Sequence, residues 1–234
     1  MEETISKLLY PGKGLLAADE STKTITKRFA KVGLTSTPEL NRKYRQMLFT
    51  TEGIEAFLSG IIMFDETVRQ KKDDGVSFID FLTGRGIIPG IKVDEGLEPF
   101  SNEVEQVSKG LEGLVPRLKE YAGMGLKFAK WRGIVTISDI YPSKEFLDEN
   151  LGRMSKFAKL SQEVNLLPIV EPEVLMDGNH TTSRCEEITS KMLKVLFEKL
   201  VGDGVSLDNL LLKTNMVLPG KDSGVKAAPL EAAH

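Results

Sequence analysis

Six short apolar runs, each closing on charged residues and separated from the next by a helical stretch, predict an α/β fold with a parallel sheet of βαβ units. The runs end at Asp19, Asp65, Lys92, Lys130, Glu171 and Lys213, spaced by 46, 27, 38, 41 and 42 positions. No sequence self-similarity accompanies that rhythm, so it reflects architecture and not a repeat array. No linker or low-complexity segment breaks it, and residues 1–234 read as one domain large enough to bury a substantial core.

The elements follow in order. Residues 2–9 suit a short helix stopped by Pro11-Gly12. Gly14-Leu-Leu-Ala-Ala-Asp19 reads as a buried strand ending in a carboxylate, and a helix fits Thr24 to Lys31. Thr37-Pro38 supplies an N-cap and a first-turn proline for a helix whose apolar face would be Leu40, Tyr44, Met47 and Leu48. Leu58 to Phe64 forms the second run, ending at Asp65, which reads as a solvated strand end; a short helical piece near 77–82 leads to the third, Ile87 to Asp94. A loop and a helix with Pro116 in its first turn occupy 101–123, and the fourth strand is Leu126 to Arg132. Residues 143–164 carry a clear 3.6-residue periodicity through Phe146, Leu147, Leu151, Met154, Phe157, Ala158 and Leu160. The fifth strand is Leu166 to Glu173, a helix covers about 183–201, and Leu210 to Val217 reads as a last strand buried on both faces. Residues 218–234, rich in Pro, Gly and Ala, read as irregular.

Composition narrows the function. With 31 Lys+Arg against 34 Asp+Glu, the chain shows no nucleic-acid surface and no polybasic membrane patch. One cysteine, Cys185, precludes an intrachain disulfide framework and fits a reducing, cytoplasmic compartment; no signal peptide or apolar run of transmembrane length is present. Two histidines, His180 and His234, argue against a histidine-rich metal site, though carboxylates could hold a hard cation. His180 reads as capping or decorating a loop, Cys185 as a small buried residue on a helix, and Trp131 as core.

In parallel α/β folds, binding and catalytic groups collect at the C-terminal ends of the strands. Here those ends carry charges at i and i+2: Lys92 and Asp94, Lys130 and Arg132, Glu171 and Glu173. Lys213 and Asn215 would share one face of the last strand. A lysine there either snorkels to water or, with its pKa lowered by neighbouring cations such as Lys130, becomes a nucleophile for carbonyl carbon. Glu171 and Asp19 can carry protons, and Lys92 and Arg132 with the hydroxyls of Ser21 and Thr24 can bind a phosphate. The set suits Schiff-base chemistry on a ketose phosphate.

The segments Gly12-Lys-Gly-Leu-Leu-Ala-Ala-Asp-Glu-Ser-Thr22, Phe128-Ala-Lys-Trp-Arg132, Ile169-Val-Glu-Pro-Glu173 and Leu211-Leu-Lys-Thr-Asn-Met-Val217 resemble class I fructose-bisphosphate aldolase, in order from about residue 5 to 220. The resemblance implies a (β/α)8 TIM barrel that needs no metal or organic cofactor and assembles as a homo-oligomer, usually a tetramer. It implies a glycolytic lyase that interconverts fructose 1,6-bisphosphate with dihydroxyacetone phosphate and glyceraldehyde 3-phosphate. By it, Lys213 forms the Schiff base at C2, Glu171 moves the protons of the carbinolamine, and Asp19 takes the C4 hydroxyl proton. Lys130 polarises the reacting centre and Glu173 supports the charge network. Ser21, Thr24, Lys92 and Arg132 match positions around the C6 phosphate, and Arg28 matches a substrate-side arginine. Thr24 often stands as serine in the family, and Thr214 replaces the proline of the animal enzymes.

About six of the eight β/α units are present, so the domain is expected to be C-terminally incomplete, without the family's Ser-Gly-Gly loop and late glycine-arginine motif for the C1 phosphate. Two alternatives therefore stand beside the aldolase reading: an inactive fragment acting only by subunit association, and a sibling aldolase for another ketose phosphate.

Overall fold

The computed structural model describes residues 1–233; His234 lies outside the described residues. Strand β1 (Gly14–Ala18) follows helix α1 (Glu2–Leu8) and precedes α2 (Thr22–Ala30) and α3 (Pro38–Phe49). Then come β2 (Leu58–Met63), the short α4 (Asp65–Val68), α5 (Phe78–Gly84) and β3 (Ile88–Lys92). A hairpin of β4 (Leu97–Pro99) and β5 (Gln106–Ser108) leads to α6 (Leu114–Gly123) and β6 (Phe128–Val135). The chain continues through α7 (Lys144–Glu163), β7 (Leu167–Val174), α8 (Thr182–Gly202), the two-residue β8 (Leu211–Leu212) and α9 (Pro229–Ala233).

The main sheet has the order β1-β2-β3-β6-β7-β8, and the registers of β1 with β2, β2 with β3, β3 with β6 and β7 with β8 are parallel. Backbone bonds from Leu167 to Lys127 and from Leu175 to Val135 carry the same sense from β6 to β7. The alternation of strand and helix predicted this layout, which fits six consecutive β/α units. Among the described residues no helix is long and apolar enough to cross a membrane.

Contacts gather the chain into two compact units: Met1–Val93 with Pro116–Lys130 and Val164–Leu167, and Asp94–Val115 with Trp131–Glu163 and Pro168 onward. In the first unit Phe49 meets Phe78 edge-on at 5.2 Å, and Ile61, Ile91 and Phe128 are fully buried. Glycine at 90 leaves room for the Phe128 ring, which lies where a β-carbon would stand. In the second unit Trp131 is fully buried and stacks on Phe157 of α7 at 5.6 Å, the core position its alternation with Lys130 and Arg132 required. Gly133 admits α7 closely enough for Asn150 to donate to the carbonyl of Ile134 at 3.0 Å.

Several expectations need correction. β1 is an edge strand with only Ala18 buried, and β8 is a partly exposed two-residue edge and not a strand buried on both faces. Both runs are apolar, but burial of a parallel strand needs neighbours on each side, which an edge lacks. The buried face of α3 is Asn41, Arg45 and Phe49, while Met47 is exposed. A β4–β5 hairpin, whose second strand falls in the stretch read as loop, is held by buried Glu105, which accepts from the backbone and hydroxyl of Ser143 at 2.6 and 3.0 Å. Cys185 is buried on α8 as expected. His180 is buried instead of decorating a loop, and Thr181, not His180, caps α8 through the amide of Arg184. Asp65 opens α4, where it binds Arg69 and accepts from the Tyr121 hydroxyl at 3.0 Å, so it is a structural tie and not a free strand end.

Candidate active site

Asp19, Lys92 and Lys213 stand at or just past the ends of β1, β3 and β8, and Glu173 is next to last in β7. But β6 runs on to Val135 and β7 to Val174, so Lys130, Arg132 and Glu171 lie within their strands and not at the ends the sequence predicted. Within each unit the structure joins the candidates in pairs. In the first unit Asp19 follows β1 and Lys130 lies on β6, with Lys130 Nζ 2.6 Å from Asp19 Oδ2. Both side chains are largely buried. Adjacent strands stand about 4.8 Å apart, so in a flat sheet three steps would separate these residues by roughly 14 Å. That is farther than an aspartate and a lysine reach together. The contact therefore requires the four strands of this unit to curve, as strands of a barrel do.

The turn after Asp19 carries the other candidates of this unit. Ser21 is the N-cap of α2: its hydroxyl accepts from the Thr24 amide at 3.4 Å and stands 3.2 Å from the Thr24 hydroxyl. These two hydroxyls thus sit together at the opening of a nine-residue helix, where backbone N–H groups favour anions. Arg28, on the last turn of α2, pairs with Glu20 and is more than half exposed. Lys92 closes β3, and in register its α-carbon faces that of Lys130.

In the second unit Lys213 directly follows β8, and its amide donates to the Val170 carbonyl of β7 at 2.9 Å. That register sets its ammonium beside the carboxylate of Glu171, the next residue of β7, and the two form a hydrogen-bonded ion pair. Glu171 is buried, with 8% of its side chain exposed, against 43% for Lys213. Since the strand stops at Leu212, the same-face argument for Asn215 fails. Asn215 instead accepts from the Val174 amide at 3.2 Å and holds the chain leaving Lys213 against β7.

Arg132 and Glu173 pair across β6 and β7 at 2.5 Å. Burial pulls the Arg132 pKa down, but the Glu173 hydrogen bond and the charges of Glu173, Glu171 and Asp94 outweigh it and leave it above the usual arginine value. Arg132 is thus a permanent cation. Its backbone is fixed as well, by the Asp94 carboxylate accepting from its amide at 3.4 Å and the Ser108 hydroxyl donating to its carbonyl. Among the described residues no three His, Cys, Asp or Glu side chains converge as metal ligands.

Sequence reasoning assigned no role to Glu20 or Arg45. Arg45 is buried, and its guanidinium binds Glu20 at both the carboxylate and the carbonyl. The signal was the i, i+4, i+8 spacing of Asn41, Arg45 and Phe49, which emerges only when a polar residue is allowed on the inward face.

A family model described as glycolytic fructose-bisphosphate aldolase class-I matches residues 1–234. The chain is 45% identical over 235 residues to a protein named probable fructose-bisphosphate aldolase class 1 from Xanthomonas axonopodis pv. citri (strain 306), covering 100% of this chain and 70% of that one. It is 42% identical to the cytosolic fructose-bisphosphate aldolase 6 of Arabidopsis thaliana, covering 100% of this chain and 66% of that one. A solved fructose-bisphosphate aldolase of Plasmodium falciparum, in complex with TRAP and a small-molecule inhibitor, superposes with a TM-score of 0.95 at 41% identity, covering 99% of this chain and 67% of the other.

Proposed function

The chain belongs to the class I fructose-bisphosphate aldolase family and carries six β/α units of its (β/α)8 fold, and on that premise we propose that it acts as a Schiff-base lyase on fructose 1,6-bisphosphate. The observation that carries the reading is the Lys213–Glu171 pair. An ammonium cannot attack a ketone; it must first lose a proton, and a carboxylate already hydrogen-bonded to Nζ is placed to take it. After Nζ bonds to C2 of the substrate, the carbinolamine hydroxyl must leave as water, and the proton held by Glu171 is available for that step. Burial of Glu171 shields the carboxylate end of this exchange from bulk solvent.

Asp19 is the proposed base for the C4 hydroxyl. As its proton leaves, the C3–C4 bond breaks and its electrons pass to the protonated imine on Lys213. Glyceraldehyde 3-phosphate departs, and a proton delivered to C3 followed by hydrolysis of the imine releases dihydroxyacetone phosphate. Lys130 sets a positive charge beside Asp19 and the reacting oxygen, and Glu173 steers Arg132. Ser21, Thr24, Lys92 and Arg132 are the proposed ligands of the C6 phosphate, with Arg28 on the substrate side. The helix-opening hydroxyls and the permanent charge of Arg132 support that assignment. We further propose a cytoplasmic homo-oligomer, a tetramer by the family resemblance; the Arabidopsis relative is named cytosolic.

The test is borohydride trapping with dihydroxyacetone phosphate, read by intact mass and peptide mapping. A reduced adduct at Lys213, absent from Lys213→Ala, is the expected result; a folded wild-type protein that yields no adduct overturns the proposal. A second reading, association with another polypeptide without chemistry, is favoured by the one-sided pairing of β1 and β8. Native mass measurement separates the two, because a discrete oligomer that also traps substrate excludes a purely associative role.

A further inference from the structure

Arg45 is 2% exposed and takes no part in the chemistry above. A guanidinium is removed from water at a high cost unless its donors and charge are matched. Among the described residues its hydrogen bonds go to one residue, Glu20: Nη1 donates to Oε2 at 2.5 Å and Nη2 to the main-chain oxygen at 3.1 Å. The neighbouring Tyr44 ring lies 5.4 Å from its central carbon. Glu20 stands between Asp19, the proposed base, and Ser21, the cap of α2. Its remaining oxygen, Oε1, accepts from Arg28. A single carboxylate with 9% of its side chain exposed therefore bridges a buried arginine and one that is 59% exposed.

The two arginines are not equivalent. If Arg28 were the sole partner of Glu20, swinging it toward a ligand would leave a buried carboxylate uncompensated, and the exchange would be resisted. With Arg45 fixed on Oε2 and on the carbonyl, Glu20 keeps a cation whatever Arg28 does. The three groups carry two positive charges and one negative, with the surplus at the exposed end.

We propose that Arg45 is a positioning residue for anion capture: by holding Glu20 neutralised and immobile, it frees Arg28 to exchange that carboxylate for the phosphate group of the substrate. The proposal rests on the reading of Arg28 as a substrate-side residue. It makes Glu20 an internal competitor for phosphate, whose strength Arg45 sets.

Titration with inorganic phosphate, followed by 31P NMR or calorimetry, reads this without requiring turnover. Arg45→Met leaves Arg28 as the remaining arginine on Glu20, and phosphate binding is expected to weaken about tenfold, the scale of one charge-assisted hydrogen bond. The double variant Glu20→Gln/Arg45→Met removes the competitor as well, and binding is expected to return to the wild-type level or better. A purely structural role for Arg45 predicts the reverse, a double variant as weak as the single. Arg45→Lys keeps the charge but not the fork, and is expected to weaken binding a few-fold should the methionine variant fail to fold.

Where turnover is measurable, KM for the bisphosphate rises in the Arg45 variants while kcat stays within about twofold, since the reacting groups are untouched. Unchanged phosphate binding in Arg45→Met, no recovery in the double variant, or a wild-type protein that does not bind phosphate would each overturn the proposal. Failure of Lys213 trapping would strike the lyase reading alone, because the phosphate titration is independent of imine formation.

Discussion

Replacing Gly90 with alanine tests the packing that places Lys130. A β-carbon at Gly90 would stand closer than 3.0 Å to three atoms of the Phe128 ring. Carbon atoms in good contact stand about 3.5–4.0 Å apart, so the ring or the strand must retreat by an ångström or so. The ring has little room, because Phe128 is fully buried and its other edge lies 3.4 Å from where a β-carbon on Gly60 would stand. Overpacking a tight core costs about 1–3 kcal/mol, and a rigid aromatic wall puts Gly90→Ala at about 3 kcal/mol or more. At Gly60 the nearest obstacle is the flexible end of Leu8, so Gly60→Ala should cost less, about 1–2 kcal/mol. Urea unfolding followed by the fluorescence of Trp131, the sole tryptophan, gives both values. The variant Gly90→Ala/Phe128→Leu should be more stable than the sum of its parts by at least about 1 kcal/mol. Strict additivity in that pair, or a Gly90→Ala protein with the wild-type midpoint, would refute the reasoning. The register runs from Gly90 opposite Phe128 to Lys92 opposite Lys130, so a displaced ring also moves the partner of Asp19.

Two further outcomes follow from individual side chains. The Tyr121 hydroxyl, buried and beside the Asp65 carboxylate, has its pKa pushed up to about 12. A folded-state value above the unfolded value near 10 gives stability that is intact below pH 10 and lost as pH rises toward 12; Tyr121→Phe should flatten that stretch of the stability curve by up to about 2 kcal/mol, and parallel curves would exclude the effect. Ser21→Ala removes the cap of α2 and should cost about 0.5–1 kcal/mol, whereas Ser21→Gly should cost only a few tenths. Because both lose the hydroxyl, both should weaken phosphate binding, and a Ser21→Gly protein that binds phosphate normally would remove Ser21 from the ligand set.

What the sequence disclosed depended on whether a signal was local. β2, β3, β6 and β7 were legible because most of their residues are buried, so apolar residues dominate their runs apart from the charged Lys92, Lys130, Arg132, Glu171 and Glu173. α7 was legible because its inward residues recur at helical spacing, with Phe146, Leu147, Leu151, Met154, Phe157 and Ala158 all buried. β1 and β8 have equally apolar runs, but their exposure depends on sheet position, which no local pattern encodes. The three-residue strands β4 and β5 are too short to display a period. The inward face of α3 was misread because Asn41 and Arg45 are polar residues made tolerable by partners at Ser36, Glu66 and Glu20. For the site, strand-end logic named candidate residues but not which of them pair. Asp19 meets Lys130 across 111 positions of sequence, a pairing set by sheet order and curvature.

The pairings carry their own argument about which groups are reagents and which are scaffold. Lys130, Lys213, Arg28, Arg45 and Arg132 each meet a carboxylate of their own unit. A phosphorylated ligand would therefore compete with an internal anion for each of these five cations, and the cost of the exchange depends on burial. Breaking a buried pair by removing one partner costs about 3–5 kcal/mol, whereas an exposed pair is worth about 1 kcal/mol or less. Lys130 and Arg45 expose 5% and 2% of their side chains, so they hold Asp19 and Glu20 in place and are poorly suited to trade partners. Arg28 exposes 59% and can leave because Arg45 still neutralises the buried Glu20, whereas Lys213 exposes 43% but pairs with the buried Glu171, so its separation costs more. One of these is the proposed substrate-side arginine and the other the proposed nucleophile. Exposure thus sorts these charges into a buried set that holds its partners in place and a more exposed set that includes the proposed nucleophile and the proposed substrate-side arginine.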